Sequence, residues 1–275
     1  MKARIMSACA AALRLYTRLV PFHRGRGVFV RLIELLKRRG WPAPLVTAGR
    51  GLVMEFEPSL VGWTLFERGE WEPRQTETFL SLVRSDAVVF NIGANTGYYT
   101  LLAAATASHV YAFEMQPAIA EVLRRNIARN GLEDVVTVVE AGCFSSSGEA
   151  AIEHRGDPGA ARIRFEDGGT RVRLITLDEY VQSAGLDRLD VILIDAEGAD
   201  FEILKGAAAT LERFRPAVIA EVHHLETFGG SERELCEFMS RFGYIATPVS
   251  SEFSRDLVFV RPASGSPARG SRPRA

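Results

Sequence analysis

Two glycines and one acid, Gly93, Gly97 and Glu114, stand in a stretch that reads VVFNIGANTGYYTLLAAATASHVYAFEM over residues 88–115. The apolar run 87–90 suits a strand buried on both faces of a parallel sheet. The chain then turns through Gly93 and Gly97 into a helical run over 98–107. A second apolar run, 109–113, ends at Glu114. This is a βαβ unit with glycine in its first turn and a carboxylate 21 positions after Gly93. Glycine lets backbone approach a ligand closely, and the carboxylate can accept hydrogen bonds from both hydroxyls of a ribose. The arrangement suits an adenosine-type cofactor.

A dinucleotide fold needs G-x-G-x-x-G and seats a pyrophosphate at a helix N-terminus. Here the turn reads Gly93-Ala94-Asn95-Thr96-Gly97, without the close glycine pair, and Asn95 and Thr96 fill the place a pyrophosphate needs. S-adenosylmethionine asks for less: it has no phosphate, only an amino acid end, a sulfonium and a nucleoside. In open parallel sheets ligands bind beyond the carboxyl ends of the strands. Further along, those ends carry Asp195 and Glu197 after the run 191–194, then Glu221, His223 and His224 around the end of the run 217–222. Methyl transfer is a displacement at carbon, and a hydroxyl acceptor must give up a proton. Asp195 and Glu197 are candidates for cofactor contact or general base, with a helix cap as the alternative for Asp195. His223 shares a strand face with Glu221 and is the preferred base, so at most one of the two histidines is expected to face the site. A structural histidine is the alternative. No residue is assigned as a metal ligand, and a divalent cation shared by Asp195, Glu197, Glu221 and His223 stays an open alternative.

Six pieces in order resemble the FkbM family of S-adenosylmethionine-dependent methyltransferases: Gly69-Glu70-Trp71-Glu72-Pro73, NIGANTGYYT from Asn91, YAFEMQP from Tyr111, Asn126 and Asn130 in RRNIARNG, TLDEY from Thr176, and IDAEGADFEILKGA from Ile194. The resemblance implies a class I, Rossmann-like methyltransferase fold: an α/β architecture with a mostly parallel seven-stranded sheet and helices on both faces. It also implies methylation of a hydroxyl on a sugar, a glycan or lipid precursor, or another small molecule. By the same resemblance Glu114 takes the ribose, the strand end near Cys143 and Phe144 runs along the adenine, and Glu72 closes over the cofactor. Asn91, Gly93, Asn95, Thr96, Gly97 and Asp195 complete the cofactor set. Three positions depart from the family pattern. Asn91 stands where Asp is usual, Met115 where Pro is usual, and Leu193 where Lys is common, so a catalytically impaired binding or scaffold protein is the rival reading. The Asn/Asp-Pro-Pro-aromatic signature of many amino-group methyltransferases is absent, because the run 191–194 leads into Asp195-Ala196-Glu197-Gly198.

The elements that must hold these residues are readable in part. Helices are expected over 74–83, 118–129, 201–214 and 231–242, and strands over 52–56, 135–140, 191–194 and 217–222. A final antiparallel pair, 245–249 and 257–260, follows from the fold analogy. Residues 144–175 alternate in short pieces and read as an antiparallel excursion. The acceptor pocket is expected in the least patterned segments, 20–75 and 144–175. The division expected is a basic helical extension over 1–49, a methyltransferase domain over 50–262 and a disordered tail over 263–275.

The net charge of −1 hides an asymmetry: residues 1–50 carry eleven Lys or Arg against one acid, Glu34. Amphipathic helices are expected over 5–20 and 28–39, either packed on the catalytic domain or forming a basic surface for anionic membrane or a carrier-linked acceptor. No basic-aromatic alternation or finger motif suggests nucleic acid. The apolar run 5–13 is cut by Arg14 and Arg18 and is too short for a membrane span, and as a secretory signal it is minimal. Three cysteines without metal or redox spacing fit a reducing compartment. A cytoplasmic protein is therefore expected, peripheral to the inner face of a membrane if the basic surface binds lipid.

Overall fold

The computed structural model describes residues 26–154, 161–166, 168–250 and 255–262. The helix expected over 5–20 and the tail from 263 lie outside the described residues.

Short, wholly apolar runs become the inner strands of one sheet. Strands β3 (Val88–Ile92), β4 (His109–Phe113), β5 (Val136–Val139), β10 (Val191–Ile194) and β11 (Ala217–Glu221) are parallel. With β12 (Ile245–Ser250) and β13 (Arg255–Val260) they form a seven-stranded sheet of order β12-β13-β11-β10-β3-β4-β5, in which β13 is antiparallel to both β11 and β12. The sheet is buried on both faces. Val89, Leu193, Ile219 and Val258 point to one apolar layer, and Phe90, Ile192, Ile194 and Val218 to the other. The class I methyltransferase architecture is thus in place, including its antiparallel final hairpin.

The first layer holds α1 (Arg26–Arg38), α2 (Leu60–Arg68), α3 (Pro73–Leu82), α4 (Tyr98–Ala104) and α5 (Pro117–Arg129). A small hairpin, β1 (Leu45–Ala48) with β2 (Leu52–Glu55), joins them and crosses the boundary expected at residue 49. Two asparagines from the RRNIARNG piece fasten it to α5. Asn126 Oδ1 accepts from the Glu55 N–H at 2.8 Å, and Asn130 Oδ1 from the Val53 N–H at 3.0 Å. Asn126 also donates to the Thr96 carbonyl, tying hairpin, helix and glycine turn together. The buried Glu55 carboxylate meets Arg125 and Arg129. Helix α1 is not a detached extension: Phe29 packs among Phe56, Trp63 and Phe66, and Ile33 is in the core.

The second layer holds α6 (Leu177–Ser183), α7 (Asp200–Lys205), α8 (Ala208–Phe214) and α9 (Glu232–Arg241). A second, four-stranded sheet of order β6-β9-β7-β8 is formed by β6 (Gly142–Cys143), β7 (Gly148–His154), β8 (Ala161–Arg164) and β9 (Thr170–Ile175). Its pairs are antiparallel except β6 with β9. The single helix expected over 201–214 is two. The chain breaks at Gly206, where an added Cβ would lie 2.3 Å from the Phe144 carbonyl oxygen. Among the described residues no helix is long and apolar enough to cross a membrane.

Candidate active site

The parallel strands end on one side of the sheet, and a cavity of about 340 Å³ opens there. Its size is at the lower end of the range for single small-molecule sites, about 300–1,000 Å³. Strand β3 delivers Gly93 and Asn95, β4 delivers Glu114, β5 leads to Cys143, β10 to Asp195 and Glu197, and β11 to Glu221, His223 and His224. Helices α2 and α3 cover it with Leu60, Val61, Trp71, Glu72 and Gln75, and β8 adds Ala161 and Ile163.

Gly93 is required by the sheet itself. Its φ is +77°, and a Cβ there would lie 1.9 Å from the Asp195 carbonyl oxygen, because the Asp195 N–H donates to the Ile92 carbonyl. The glycine lets β3 and β10 end side by side, which sets Asp195 beside the turn. Gly97, at φ +106°, begins α4 and faces Leu123 away from the cavity.

Glu114 is buried, and backbone N–H groups hold both its carboxylate oxygens: Oε2 accepts from Asn95 and Oε1 from Gln116, each at 2.8 Å. Burial pushes its pKa up to about 7, against the pull of those N–H groups. A carboxylate so held is aimed, and its remaining lone pairs suit a vicinal diol. Beside it the wall is apolar: Ile92, Phe113, Met115, Ala141 and Cys143. Burial raises the Cys143 thiol out of its reactive range, so it acts as apolar surface.

The opposite wall is acidic. Glu72, Asp195, Glu197, Glu221 and Asp256 line it, and Asp200 lies just behind. Asp195 does not cap the following helix, since α7 begins at Asp200 after Ala199. Its carboxyl is held well above the ordinary value, by burial first and then by Asp200, Glu72, Glu197 and Asp256. Glu221 is pushed up to about 10 by burial, Asp195, Asp200 and Asp256. Asp200 reaches about 7 through burial, although its Oδ1 accepts from the Glu221 N–H at 3.0 Å. Tyr99 donates to Glu72 at 3.3 Å, and the Gln75 amide bridges Glu72 and Asp256. Arg162 stands against this wall, its Nη2 3.7 Å from Glu197.

His223 Nδ1 lies 3.5 Å from Glu221 Oε1, and its ring reaches solvent. Both histidines line the cavity, contrary to the expectation that alternation would send one away. The strand ends at Glu221, and His224 adopts φ +63°, so period-two alternation no longer applies. Among the described residues six non-glycine residues have positive φ, and four of them line this cavity: Glu72, Asn95, Glu197 and His224. Strained backbone persists where the surroundings over-determine it, and it concentrates at functional sites.

The structure therefore brings Glu72, Gly93, Asn95, Glu114, Cys143, Asp195, Glu197 and His223 together. Four other candidates do not line the cavity. Asn91 points to the opposite layer, where Nδ2 donates to Thr100 Oγ1 at 2.8 Å. Thr96 and Gly97 serve the turn and helix start, and Phe144 packs between Phe165 and Phe228. Asp256, Gln75 and Arg162 were missed by sequence reasoning. Asp256 had a readable signal: an antiparallel last strand begins where its parallel neighbours end, so an acid at its start lands at the site. Among the described residues no three His, Cys, Asp or Glu groups stand as a metal-binding set.

The residues present fit S-adenosylmethionine. The cavity offers an aimed carboxylate for a ribose, an apolar wall for a base, and an acidic wall complementary to a sulfonium and an ammonium.

A family profile described as the methyltransferase FkbM domain matches residues 91–246. The hexuronic acid methyltransferase AglP of Haloferax volcanii is 28% identical over 194 residues, covering 68% of this chain and 78% of that protein. The methyltransferase sdnD of Sordaria araneosa is 30% identical over 159 residues, 44% of this chain and 61% of that protein. Among solved structures, a methyltransferase FkbM from Methylobacillus flagellatus superposes with a TM-score of 0.48 at 14% identity, covering 72% of this chain and 52% of that one.

Proposed function

This chain belongs to the FkbM methyltransferase family, and on that premise we propose that it moves a methyl group from S-adenosylmethionine to a hydroxyl oxygen of a sugar, a glycan or lipid precursor, or a similar small acceptor. The observation that carries the reading is Glu114, buried at the end of β4 with both oxygens gripped by backbone N–H groups, facing an acidic wall across one cavity. The hexuronic acid specificity in the name of the Haloferax volcanii relative supports a sugar acceptor.

The cofactor supplies an electrophilic methyl on a cationic sulfur. The chain's own residues do the rest. Glu114 orients the nucleoside, with Cys143, Met115 and Phe113 along its base. Glu72, Asn95 and Asp195 meet the amino acid end, and the acidic wall favours the positive charge. His223 takes the acceptor proton at the rim, its Nδ1 standing 3.5 Å from Glu221 Oε1. Asp195 and Glu197 accept from acceptor hydroxyls and hold the attacking oxygen in line.

Calorimetric titration with S-adenosylmethionine and S-adenosylhomocysteine tests the cofactor. Micromolar binding by wild type, lost in Glu114→Ala, is expected; no binding by wild type overturns the reading and favours a scaffold. His223→Ala is expected to lower kcat about a hundredfold or more with cofactor affinity unchanged. Unchanged turnover would remove His223 as base.

A further inference from the structure

Glu72 and Asp256 come to the cavity from segments far apart in sequence, and Gln75 joins them. All three residues line the cavity, and all three are buried. The Gln75 amide nitrogen donates to Asp256 Oδ2 at 3.2 Å and also to Glu72 Oε2. Glu72 is the N-cap of α3, at φ +40°, and Gln75 follows three residues later in the first turn. An acid at an N-cap ordinarily accepts from the first N–H groups of its own helix. The Glu72 side chain makes no such bond; it lines the cavity instead, and Tyr99 of α4 donates to it at 3.3 Å. Asp256 stands opposite Glu221 in the register of β13 with β11. Gln75 therefore ties the helix that covers the site to the sheet beneath it.

Packing alone gives no reason for such a bridge. Buried carboxylates cost free energy that apolar side chains of similar size avoid. Two of them in one site also repel. The shared amide offsets this without cancelling their charge, whereas a cationic side chain at the same position would neutralise the wall. A neutral clamp keeps the wall both acidic and fixed, which is what holding a cation requires. We propose that Gln75 is a positioning residue: its amide clamps Glu72 and Asp256 as the pair that faces the ammonium of the cofactor's amino acid end. The proposal rests on the methyltransferase reading and deepens it, because it divides the cavity by function. The nucleoside half depends on Glu114 and the apolar wall, and the amino acid half on the Gln75 clamp.

The test is calorimetric titration of the full chain with S-adenosylhomocysteine and with methylthioadenosine, which keeps the nucleoside and lacks the amino acid. Gln75→Met is close in size and has no donors. It is expected to weaken S-adenosylhomocysteine binding about tenfold or more and to leave methylthioadenosine binding unchanged. A glutamine that only supports the fold would move both ligands together. Glu72→Gln completes a double-mutant cycle, in which the Gln75→Met effect on S-adenosylhomocysteine is expected to shrink. Equal losses for both ligands, no loss for either, or additive effects in the cycle overturn the clamp. Should Gln75→Met not fold, NMR of wild type decides. The Gln75 side-chain amide protons are expected to shift with S-adenosylhomocysteine and not with methylthioadenosine, and equal shifts overturn the clamp. A wild type that binds neither ligand overturns the methyltransferase reading and the clamp with it. One that binds both while Gln75→Met changes neither leaves that reading standing and removes the clamp alone.

Discussion

Asn91 and Leu193 are the two positions where the chain departs most from the charge pattern of its family, and the parallel register sets them directly opposite one another. Both are buried, in the layer away from the cavity. An Asp and a Lys at these positions would be neighbours of opposite charge. Asn and Leu together leave neither charge unmatched. Asn91→Asp is therefore expected to destabilise the fold by about 2–4 kcal/mol, because its carboxylate would face Leu193 with no cation. Urea unfolding of Asn91→Asp, Leu193→Lys and the double variant checks this, with the double variant more stable than the sum of the single effects. Additive losses would show that the two positions do not couple. The acidic wall has its own signature. Glu114 and Asp200 titrate at about 7 and Glu221 at about 10, all above ordinary carboxyl values, so the native state keeps protons that the unfolded chain releases. The contribution of these three groups to stability is then fullest below about pH 4, falls as pH rises toward 7, and for Glu221 goes on falling to about 10. Glu221→Gln is expected to flatten the upper part of this decline. Melting temperatures at pH 6, 7.5 and 9 measure it, and identical slopes in both proteins would refute the account.

At the scale of elements, legibility followed the strength of the local pattern. β4 and β10 were readable to the residue, because an unbroken apolar run bounded by polar residues has one sensible reading. Helix α2 was not. Its LVGWTLFER buries Gly62, Trp63, Thr64, Leu65 and Phe66 in succession, so it shows no amphipathic period, and glycine and threonine weaken its propensity. Its ends carried the signal instead: Ser59 accepts from the Gly62 N–H, and Gly69 closes the helix at φ +79°. The break between α7 and α8 was also hidden, because what holds it is distant in sequence: the Phe144 carbonyl stands over Gly206, and a side chain of α6 caps the next helix. Asp178 of α6 accepts from the N–H groups of Ala209 and Thr210 and from the Thr210 hydroxyl, capping α8 from another helix. Asp178→Ala is expected to cost about 1–2 kcal/mol, since it strips the cap and leaves the part-buried Thr210 donors unmet. Asp178→Asn should recover part of that. Chemical denaturation of the two variants gives the answer, and a loss below about 0.5 kcal/mol, the usual size for a neutral surface change, would show that α8 needs no such cap.

For the whole molecule the question is what the basic N-terminal part does for a site lined by residues from Leu60 to Asp256. Helix α1 settles half of it: Phe29 and Ile33 lock the helix to the Phe56, Trp63 and Phe66 cluster, and Trp63 and Phe66 belong to α2, which carries Leu60 and Val61 to the cavity. The outer face is left with Leu32 at 50% exposure and Leu35 at 45%, flanked by Arg31, Arg38 and Arg39. Exposed leucines between arginines are the pattern of a helix that rests on an anionic interface. Each basic residue near such a surface contributes about 1 kcal/mol, and the attraction weakens as salt shortens the Debye length. We propose that α1 is a peripheral lipid contact. The full chain is then expected to pellet with phosphatidylglycerol-rich vesicles and not with phosphatidylcholine alone, with binding falling steeply as salt is raised. Leu32→Glu/Leu35→Glu should cut anionic pelleting severalfold while leaving S-adenosylhomocysteine affinity intact, because neither leucine lines the cavity. Equal pelleting with both lipids, or no effect of the double substitution, would leave α1 as a packing element only. Its arginines would then be solvated charge, and a membrane-bound acceptor would have to reach the rim without help from this helix.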